Sequence, residues 1–244
     1  MTTIYETLKE CLAAERPVAV ATLVAGAGRA GTKLLLRPGE PVLGGLGDAA
    51  LDAEVARDAL ALLERAESEV RAYATPAGEA QVFVETYPPP PTLFVVGAVH
   101  IAIPLVTFGK ALGFRTVVVD ARGAFATEER FAHADELIHA WPDEVLPGRL
   151  HSNSMVVLLT HDPKLDDPAL KVALPSTARY VGALGSPKTH AKRLERLRGE
   201  GVPEEQLARL HAPIGLKIGG RTPEEIAVSI IAEIVAARHG LTGR

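Results

Sequence analysis

The clearest hydrophobic pattern in the chain runs through its middle. A continuous apolar run over Leu93 to Val96 predicts a buried strand, and the small residues Gly97-Ala98 predict a turn after it. Apolar residues at helical spacing then predict a helix from about His100 to Leu112, before a Val-rich strand that ends at Asp120. This order is typical of a parallel strand-helix-strand unit covered on both faces.

The same alternation continues toward the C-terminus. We expect a short strand over Asp135 to His139, a buried strand over Ser154 to Thr160, a helix over about Asp166 to Leu174, a strand over Tyr180 to Leu184 and a helix opened by Ser186-Pro187. Thr222-Pro223-Glu224-Glu225 is a capping box that begins the last helix. Residues 92–244 therefore predict a Rossmann-like three-layer α/β/α domain with a mainly parallel sheet.

The N-terminal third has shorter strands and predicts a small α+β domain. The expected elements are helices over residues 3–14 and 48–66 and strands over 18–24, 32–36, 41–43, 69–73 and 81–87. Four prolines, residues 88–91, cannot donate backbone hydrogen bonds and favour an extended spacer. We therefore predict an N-terminal domain over 1–87, a proline linker over 88–91 and the Rossmann-like domain over 92–244.

Composition removes several functional classes. The chain has 244 residues, a net charge of -4 and one cysteine, Cys11. The charge provides no basic surface for nucleic acid, and there is neither a signal peptide pattern nor a long apolar run, so we expect a cytoplasmic protein with no nucleic-acid or membrane partner. The single cysteine rules out an internal disulfide, and we expect it to be a buried small hydrophobe.

Polar and glycine residues collect where the predicted parallel strands end. The turn at Gly97 to His100 and the helix start at Gly185 to Lys188 each put backbone N–H groups and a positive helix end at that edge, which suits an anion. We expect Thr160-His161 and the loop that contains His211 at the same rim, where neutral imidazoles donate hydrogen bonds. The other basic residues of the helix after Ser186, Arg193 among them, are expected on a solvated face.

Asp120 supports an alternative function. It lies about 20 residues after the glycine turn, where dinucleotide-binding folds hold a carboxylate for the ribose hydroxyls. The rival hypothesis is therefore an oxidoreductase that uses NAD(P), with NAD favoured by the negative charge. Against it, Val99 occupies the place of the second glycine of the fingerprint, and its branched side chain crowds a pyrophosphate. The sequence also lacks an evident acid/base pair for catalysis.

Five ordered segments together resemble a known family. They are GAVHIA, VVVDAR, YVGALGSPKTHAKRLERL, HAPIGLKIG and RTPEEIAVSIIAEIVAARHG, and the last three, over Tyr180 to Gly240, are the specific ones. This set is similar to the xanthine dehydrogenase accessory family, also called XdhC/CoxI, and the N-terminal unit resembles that family's smaller domain. The resemblance implies an N-terminal α+β domain followed by a Rossmann-like domain.

What the resemblance implies about function is a maturation factor rather than an enzyme. Such proteins bind the molybdenum cofactor (molybdopterin), protect it while it acquires its terminal sulfur, and deliver it to an apo molybdenum hydroxylase of the xanthine dehydrogenase type. A cysteine desulfurase is a further implied partner. We also expect a homodimer, because the N-terminal strands are rich in Gly and Ala and poor in charge.

Two departures from the family pattern favour a third hypothesis, a member that has lost its ligand. Ala50 stands where the family usually carries a cysteine in a GGGC loop followed by an acidic residue, and Val99 replaces a glycine. No spacing of His or carboxylate residues resembles a metal site, and we predict neither metal-binding nor catalytic residues. The predicted cofactor-binding residues lie at the strand ends or in the loops beyond them: Gly97, Ala98, His100, Asp120, Thr160, His161, Gly182, Gly185, Ser186, Lys188, His211 and Gly215.

Overall fold

The computed structural model describes residues 3–241 and divides into two compact units, Met1–Pro90 and Pro91–Arg244. The elements of the first unit are α1 (Ile4–Ala13), β1 (Val18–Gly26), β2 (Lys33–Leu36), β3 (Leu43–Gly44), α2 (Ala49–Arg65), β4 (Glu69–Thr75) and β5 (Gly78–Tyr87). The expectation that 1–87 and 92–244 are separate domains joined by a linker stays a prediction.

The first unit is an antiparallel sheet of order β3-β2-β1-β5-β4 between two helices. Helix α2 packs its apolar residues, Val55 and Leu62 among them, on one face of this sheet. Helix α1 packs on the other face, where Cys11 is fully buried against Val18 and Leu35. The cysteine is therefore a core residue, as predicted.

The second unit contains six strands and seven helices within the described residues. They are β6 (Thr92–Val96), α3 (Ala102–Ala111), β7 (Arg115–Val119), α4 (Glu128–Phe131), β8 (Glu136–Ile138), α5 (Pro142–Val145), β9 (Ser154–Leu158), α6 (Pro163–Ala173), β10 (Tyr180–Ala183), α7 (Pro187–Gly199), α8 (Glu204–Leu207), β11 (Leu210–His211) and α9 (Pro223–Arg238).

All six strands of the second unit are parallel, in the order β11-β10-β9-β6-β7-β8. Alternate side chains of β6 divide between the two faces of the sheet: Leu93 and Val95 pack against α3 and α9, and Phe94 and Val96 against α6 and α7. Every residue of β6 and β9 is buried, which explains their unbroken apolar runs. The predicted α/β fold class, with a small antiparallel unit and a parallel Rossmann-like sheet, is confirmed.

Local capping chemistry explains where several elements begin. Thr222 and Glu225 form the expected capping box of α9, and Ser186 accepts a hydrogen bond from the Thr189 N–H at the start of α7. Helix α6 begins earlier than the expected Asp166, because Asp162 accepts from the Lys164 N–H and Pro163 takes the first helical position. The sequence carries this cap signal, and the expected boundary did not use it.

Other boundaries differ from the sequence expectations. The strand expected over 41–43 is the pair Leu43–Gly44, and the strand expected to reach Thr160 ends at Leu158. The helix expected from His100 begins at Ala102. Single-turn helices α4, α5 and α8 have too few residues to show a helical period, so the pattern could not predict them. Over residues 3–241, no helix combines the length and the apolarity that crossing a bilayer requires.

Candidate functional site

The topology of the parallel sheet creates one natural crevice. From β6 the chain proceeds through α3 to β7 on one side, whereas β9 lies on the other side of β6 and continues through α6 to β10. Because α3 and α6 cover opposite faces, the strand order reverses between β6 and β9. Open α/β sheets bind their ligands at such a point, outside the carboxyl ends of the strands.

Gly97 and Thr160 meet at this crevice. Gly97 follows β6 with φ +105°, and a Cβ atom there would stand only 2.5 Å from Thr160 Cγ2. Glycine is required both by the left-handed backbone and by this close approach. Two of the predicted residues, one from each side of the reversal, are therefore in direct contact.

A buried polar network continues from Thr160 to the start of α7. The Thr160 hydroxyl donates to Asp166 Oδ1, and Arg193 Nη2 donates to Asp166 Oδ2 at 3.0 Å and to the Leu184 carbonyl at 3.0 Å. Arg193 is 1% exposed, so its expected place on a solvated face is wrong. Burial raises the pKa of Asp166, against the opposing effects of Thr160 and Arg193.

The beginning of α7 lies at the end of this network. Gly185 precedes the helix, and a Cβ atom there would stand 3.2 Å from Thr189 Cβ and 3.8 Å from Arg193 Nη1. Ser186 caps the helix, and Lys188 is exposed in its first turn. The contacts thus connect Gly97, Thr160 and Gly185 through Asp166 and Arg193.

Asp120 is part of a second buried cluster, at the end of β7. Its carboxylate accepts hydrogen bonds from the Ala98 N–H at 2.8 Å, the Arg122 N–H at 2.9 Å, Arg122 Nε at 2.9 Å and Arg122 Nη2 at 2.8 Å. Burial alone would raise the pKa of Asp120, but the bonds from Arg122 and Ala98 outweigh it and lower the pKa. Asp120 is 0% exposed, so in this arrangement its oxygens hold protein donors.

A third cluster surrounds Glu233 of α9. Tyr180 Oη donates to Glu233 Oε2 at 2.6 Å, the Gly215 N–H donates to the same oxygen at 2.7 Å, and His211 Nδ1 lies 3.3 Å from Oε1. Burial works against ionisation here, yet these three donors lower the pKa of Glu233 below its ordinary value. A Cβ atom at Gly182 would meet the Tyr180 hydroxyl at 2.6 Å, which places that glycine against the same cluster.

The predicted residues therefore fall into groups. The first contains Gly97, Thr160, Gly185 and Ser186, the second contains Ala98 and Asp120, and the third contains Gly182, His211 and Gly215. His100, His161 and Lys188 are exposed at the strand-end turns, and no contact in the described part of the chain joins them to one another. Within residues 3–241, no group of three or more His, Cys, Asp or Glu side chains is arranged to hold a metal ion.

Several residues of these clusters were missed by sequence reasoning: Arg122, Asp166, Tyr180, Arg193 and Glu233. For Arg193 a signal was available, because it lies four residues before the buried Leu197 and so shares the inward stripe of α7. Glu233 likewise stands between the apolar neighbours Ile230 and Ile234 of α9. A charged residue on an apolar stripe indicates a buried partner.

We expect Gly97→Ala to destabilise the protein more than Gly113→Ala. Both glycines have positive φ, but only Gly97 has neighbours within reach of an added Cβ atom. The control should lose about 1 kcal/mol from backbone strain, and Gly97→Ala roughly 2 kcal/mol more from the contact with Thr160. Chemical denaturation of both variants measures the difference, and equal losses would contradict the close packing of the turn.

Comparison with known proteins identifies the family. The XdhC Rossmann domain matches residues 93–234, which is more than half of the chain, and the XdhC and CoxI family domain matches residues 11–74. The chain belongs to the XdhC and CoxI family. The resemblance read from the sequence segments is thereby confirmed.

Two relatives and one solved structure are similar to this XdhC family member. It is 34% identical over 158 residues to a protein of Bacillus subtilis described as a probable subunit of xanthine dehydrogenase, which covers 64% of this chain and 46% of that protein. It is 33% identical over 91 residues to the molybdenum cofactor insertion chaperone PaoD from Escherichia coli, covering 37% of this chain and 29% of PaoD. The chain thus spans less than half the length of each of these curated relatives.

The solved structure supports the fold. A crystal structure of a xanthine dehydrogenase from Bacillus halodurans superposes with a TM-score of 0.55, covering 98% of this chain and 96% of that one. Sequence identity is 20%, so this likeness concerns the two-unit α/β architecture alone.

Proposed function

We propose that this XdhC family chain binds the molybdenum cofactor and delivers it to an apo molybdenum hydroxylase of the xanthine dehydrogenase type. Support comes from family membership, from the PaoD relative, and above all from one structural observation. The crevice at the strand reversal is bordered by a buried guanidinium with unused donors and by a helix start, which suit an anionic cargo.

The cargo's chemistry fits this border. Molybdopterin carries a pterin, an ene-dithiolate and a phosphate, so a host needs an anion site and hydrogen-bonding groups. The first cluster would hold the phosphate, and His211 and Gly215 of the third cluster would border the pterin side. The protein's own part is binding, orientation and exclusion of water; the bound molybdenum centre would supply the redox chemistry later, inside the hydroxylase.

The direct test is to purify the chain from cells that make the cofactor, oxidise the bound fraction and measure pterin fluorescence, then add the loaded protein to an apo-hydroxylase. We expect stoichiometric pterin and recovery of hydroxylase activity. Absence of both would overturn the proposal. A cysteine desulfurase partner, a homodimer and a cytoplasmic location stay predictions, which co-purification, light scattering and fractionation would test.

The NAD(P) alternative can be tested with the same protein by titration with NADH and NADPH. Asp120 gives this alternative less support than its sequence position promised, because Arg122 and the Ala98 N–H already occupy its oxygens. Tight NADH binding in the absence of pterin binding would favour an oxidoreductase. Binding of neither ligand would favour a family member that has lost its ligand.

We expect Lys188→Ala to weaken cofactor binding by about five- to tenfold, because an exposed ammonium in the first turn of α7 opposes the helix dipole unless an anion lies there. Lys192→Ala is the matched control, since Lys192 is also exposed on α7 but lies one turn further on. Fluorescence titration with the isolated cofactor measures both. Equal affinities for Lys188→Ala and Lys192→Ala would exclude the start of α7 as part of the site.

A further inference from the structure

Two arginines of α7 face neighbouring carboxylates of α6 but use their donors differently. Arg196 is bidentate, with Nε at 2.7 Å from Asp167 Oδ2 and Nη2 at 3.0 Å from Oδ1. Arg193 contacts Asp166 through Nη2 alone, and the same nitrogen also donates to the Leu184 carbonyl. Nε and Nη1 of Arg193 are buried and have no hydrogen-bond partner among the described residues.

This arrangement is costly for a buried cation. Nearly all buried polar groups in folded proteins are paired, and an unpaired donor on a charged group carries the full loss of its hydration. Arg196 avoids that cost because its side chain is 37% exposed and its carboxylate is fully engaged. A guanidinium has donors only, so the partner that Arg193 lacks must be an acceptor.

The unused donors face the start of α7. Helical side chains lean toward the N-terminus of their helix, and Nη1 of Arg193 lies 3.8 Å from the position of a Cβ atom on Gly185. Because residue 185 is glycine, no side chain separates the turn before the helix from the guanidinium. The acceptor is therefore expected beside Gly185, at the carboxyl end of β10.

The first turn of α7 offers further donors and no acid. The hydroxyls of Ser186 and Thr189 are 2.9 Å apart, Lys188 is exposed beside them, and the first turn contains neither Asp nor Glu. The helix dipole adds positive potential at the same place. The carboxylate of Asp166, which contacts Arg193, lies on the Nη2 side of the guanidinium.

We propose that Arg193 and the first turn of α7 form a binding site for a tetrahedral oxyanion of the phosphate monoester class. One anion oxygen accepts from Arg193 Nη1 beside Gly185, and the others accept from the hydroxyls of Ser186 and Thr189 and from Lys188. A planar guanidinium and a helix N-terminus are the two groups that proteins commonly use for phosphate. In naming molybdopterin phosphate as the biological source, this inference rests on the proposed function.

The test uses the full chain and inorganic phosphate as the probe. Calorimetric titration at constant ionic strength, with chloride as the balancing anion, should show phosphate binding to the unaltered protein. Arg193→Lys keeps the charge that pairs with Asp166 but removes the Nη1 donor, and we expect at least tenfold weaker phosphate binding. Arg196→Lys is the matched control on the same helix and should bind phosphate as the unaltered protein does.

A second variant protects the test against misfolding of Arg193→Lys. Thr189→Val removes one hydroxyl at similar size and leaves the Arg193–Asp166 ion pair in place, and we expect about fivefold weaker phosphate binding. Absence of phosphate binding in the unaltered protein, or equal affinities for Thr189→Val and the unaltered chain, overturns the oxyanion site.

Cofactor titrations separate this inference from the proposed function. If the cofactor binds tightly but inorganic phosphate neither binds nor competes, the oxyanion site is wrong while the carrier role stands. If phosphate binds through Arg193 but the cofactor does not, the oxyanion site stands with free phosphate as its ligand, and the carrier role is wrong. Competition between the two ligands supports both.

Discussion

Asp120→Asn is expected to lower the free energy of unfolding by about 3 kcal/mol, because it removes the charge that compensates Arg122 and turns an amide donor toward the other donors of the cluster. The carboxylate has no exposed surface and accepts from four protein donors, so water cannot replace the lost bonds. Chemical denaturation at neutral pH measures the loss. Because the Ala98 N–H is one of the donors, the turn after β6 should also lose hydrogen-exchange protection.

Asp162→Asn is the matched control for this substitution. Asp162 caps α6 at the same edge of the sheet, and asparagine caps helices about as well as aspartate, so we expect a change below about 0.5 kcal/mol. The pKa of Asp120 is lowered from 3.8, so its stabilising effect is complete above that value and is lost as the pH falls through the lower, folded-state pKa. Asp120→Asn should therefore flatten the acid dependence of stability, and an unchanged slope would contradict the assignment.

The sequence predicted the framework of this edge better than its polar contacts. Unbroken apolar runs identified β6, β7 and β9, and the order of strands and helices was enough for a parallel sheet. Asp120 was correctly placed at the end of β7, but its spacing from Gly97 suggested a ribose rather than a neighbour in the chain. Spacing fixes where a side chain begins, whereas the choice between ligand and protein donors depended on Arg122, two residues further along.

Arg193 and Glu233 show a second limit. Helical periodicity assigns each to an inward stripe, but the general preference of charged residues for solvent predicts the opposite. The structure resolves the conflict through partners from distant parts of the chain: Asp166 of α6 for Arg193, and Tyr180 of β10 with Gly215 for Glu233. Such partners become neighbours only through the sheet order, which the sequence pattern left open.

These buried charges also explain how a site without catalytic residues can be rigid. The Arg193 network joins α6 and α7 to the end of β10, and the Glu233 network joins α9 to β10 and to the loop after β11. Each network therefore fixes one loop whose residues were predicted to touch the cofactor. We expect loss of either network to reduce cofactor binding indirectly, by releasing a loop.

Glu233→Gln tests this idea on the loop that contains His211 and Gly215. We expect a loss of about 3 kcal/mol in the free energy of unfolding, because a neutral amide replaces a buried carboxylate that accepts two bonds on Oε2. The Gly215 amide should exchange much faster, since Glu233 is its acceptor. Chemical denaturation and hydrogen exchange measure the two effects.

Glu224→Gln, at an exposed position in the first turn of the same helix, is the control and should cost less than about 0.5 kcal/mol. The pKa of Glu233 is lowered from 4.5, so its contribution is present above that value and disappears as the pH falls through the lower, folded-state pKa. If Glu233→Gln unfolds as the control does, or if the Gly215 amide keeps its protection, Glu233 does not hold the loop. If stability falls but cofactor affinity is unchanged in the folded fraction, the loop is held by Glu233 and lies outside the cofactor site.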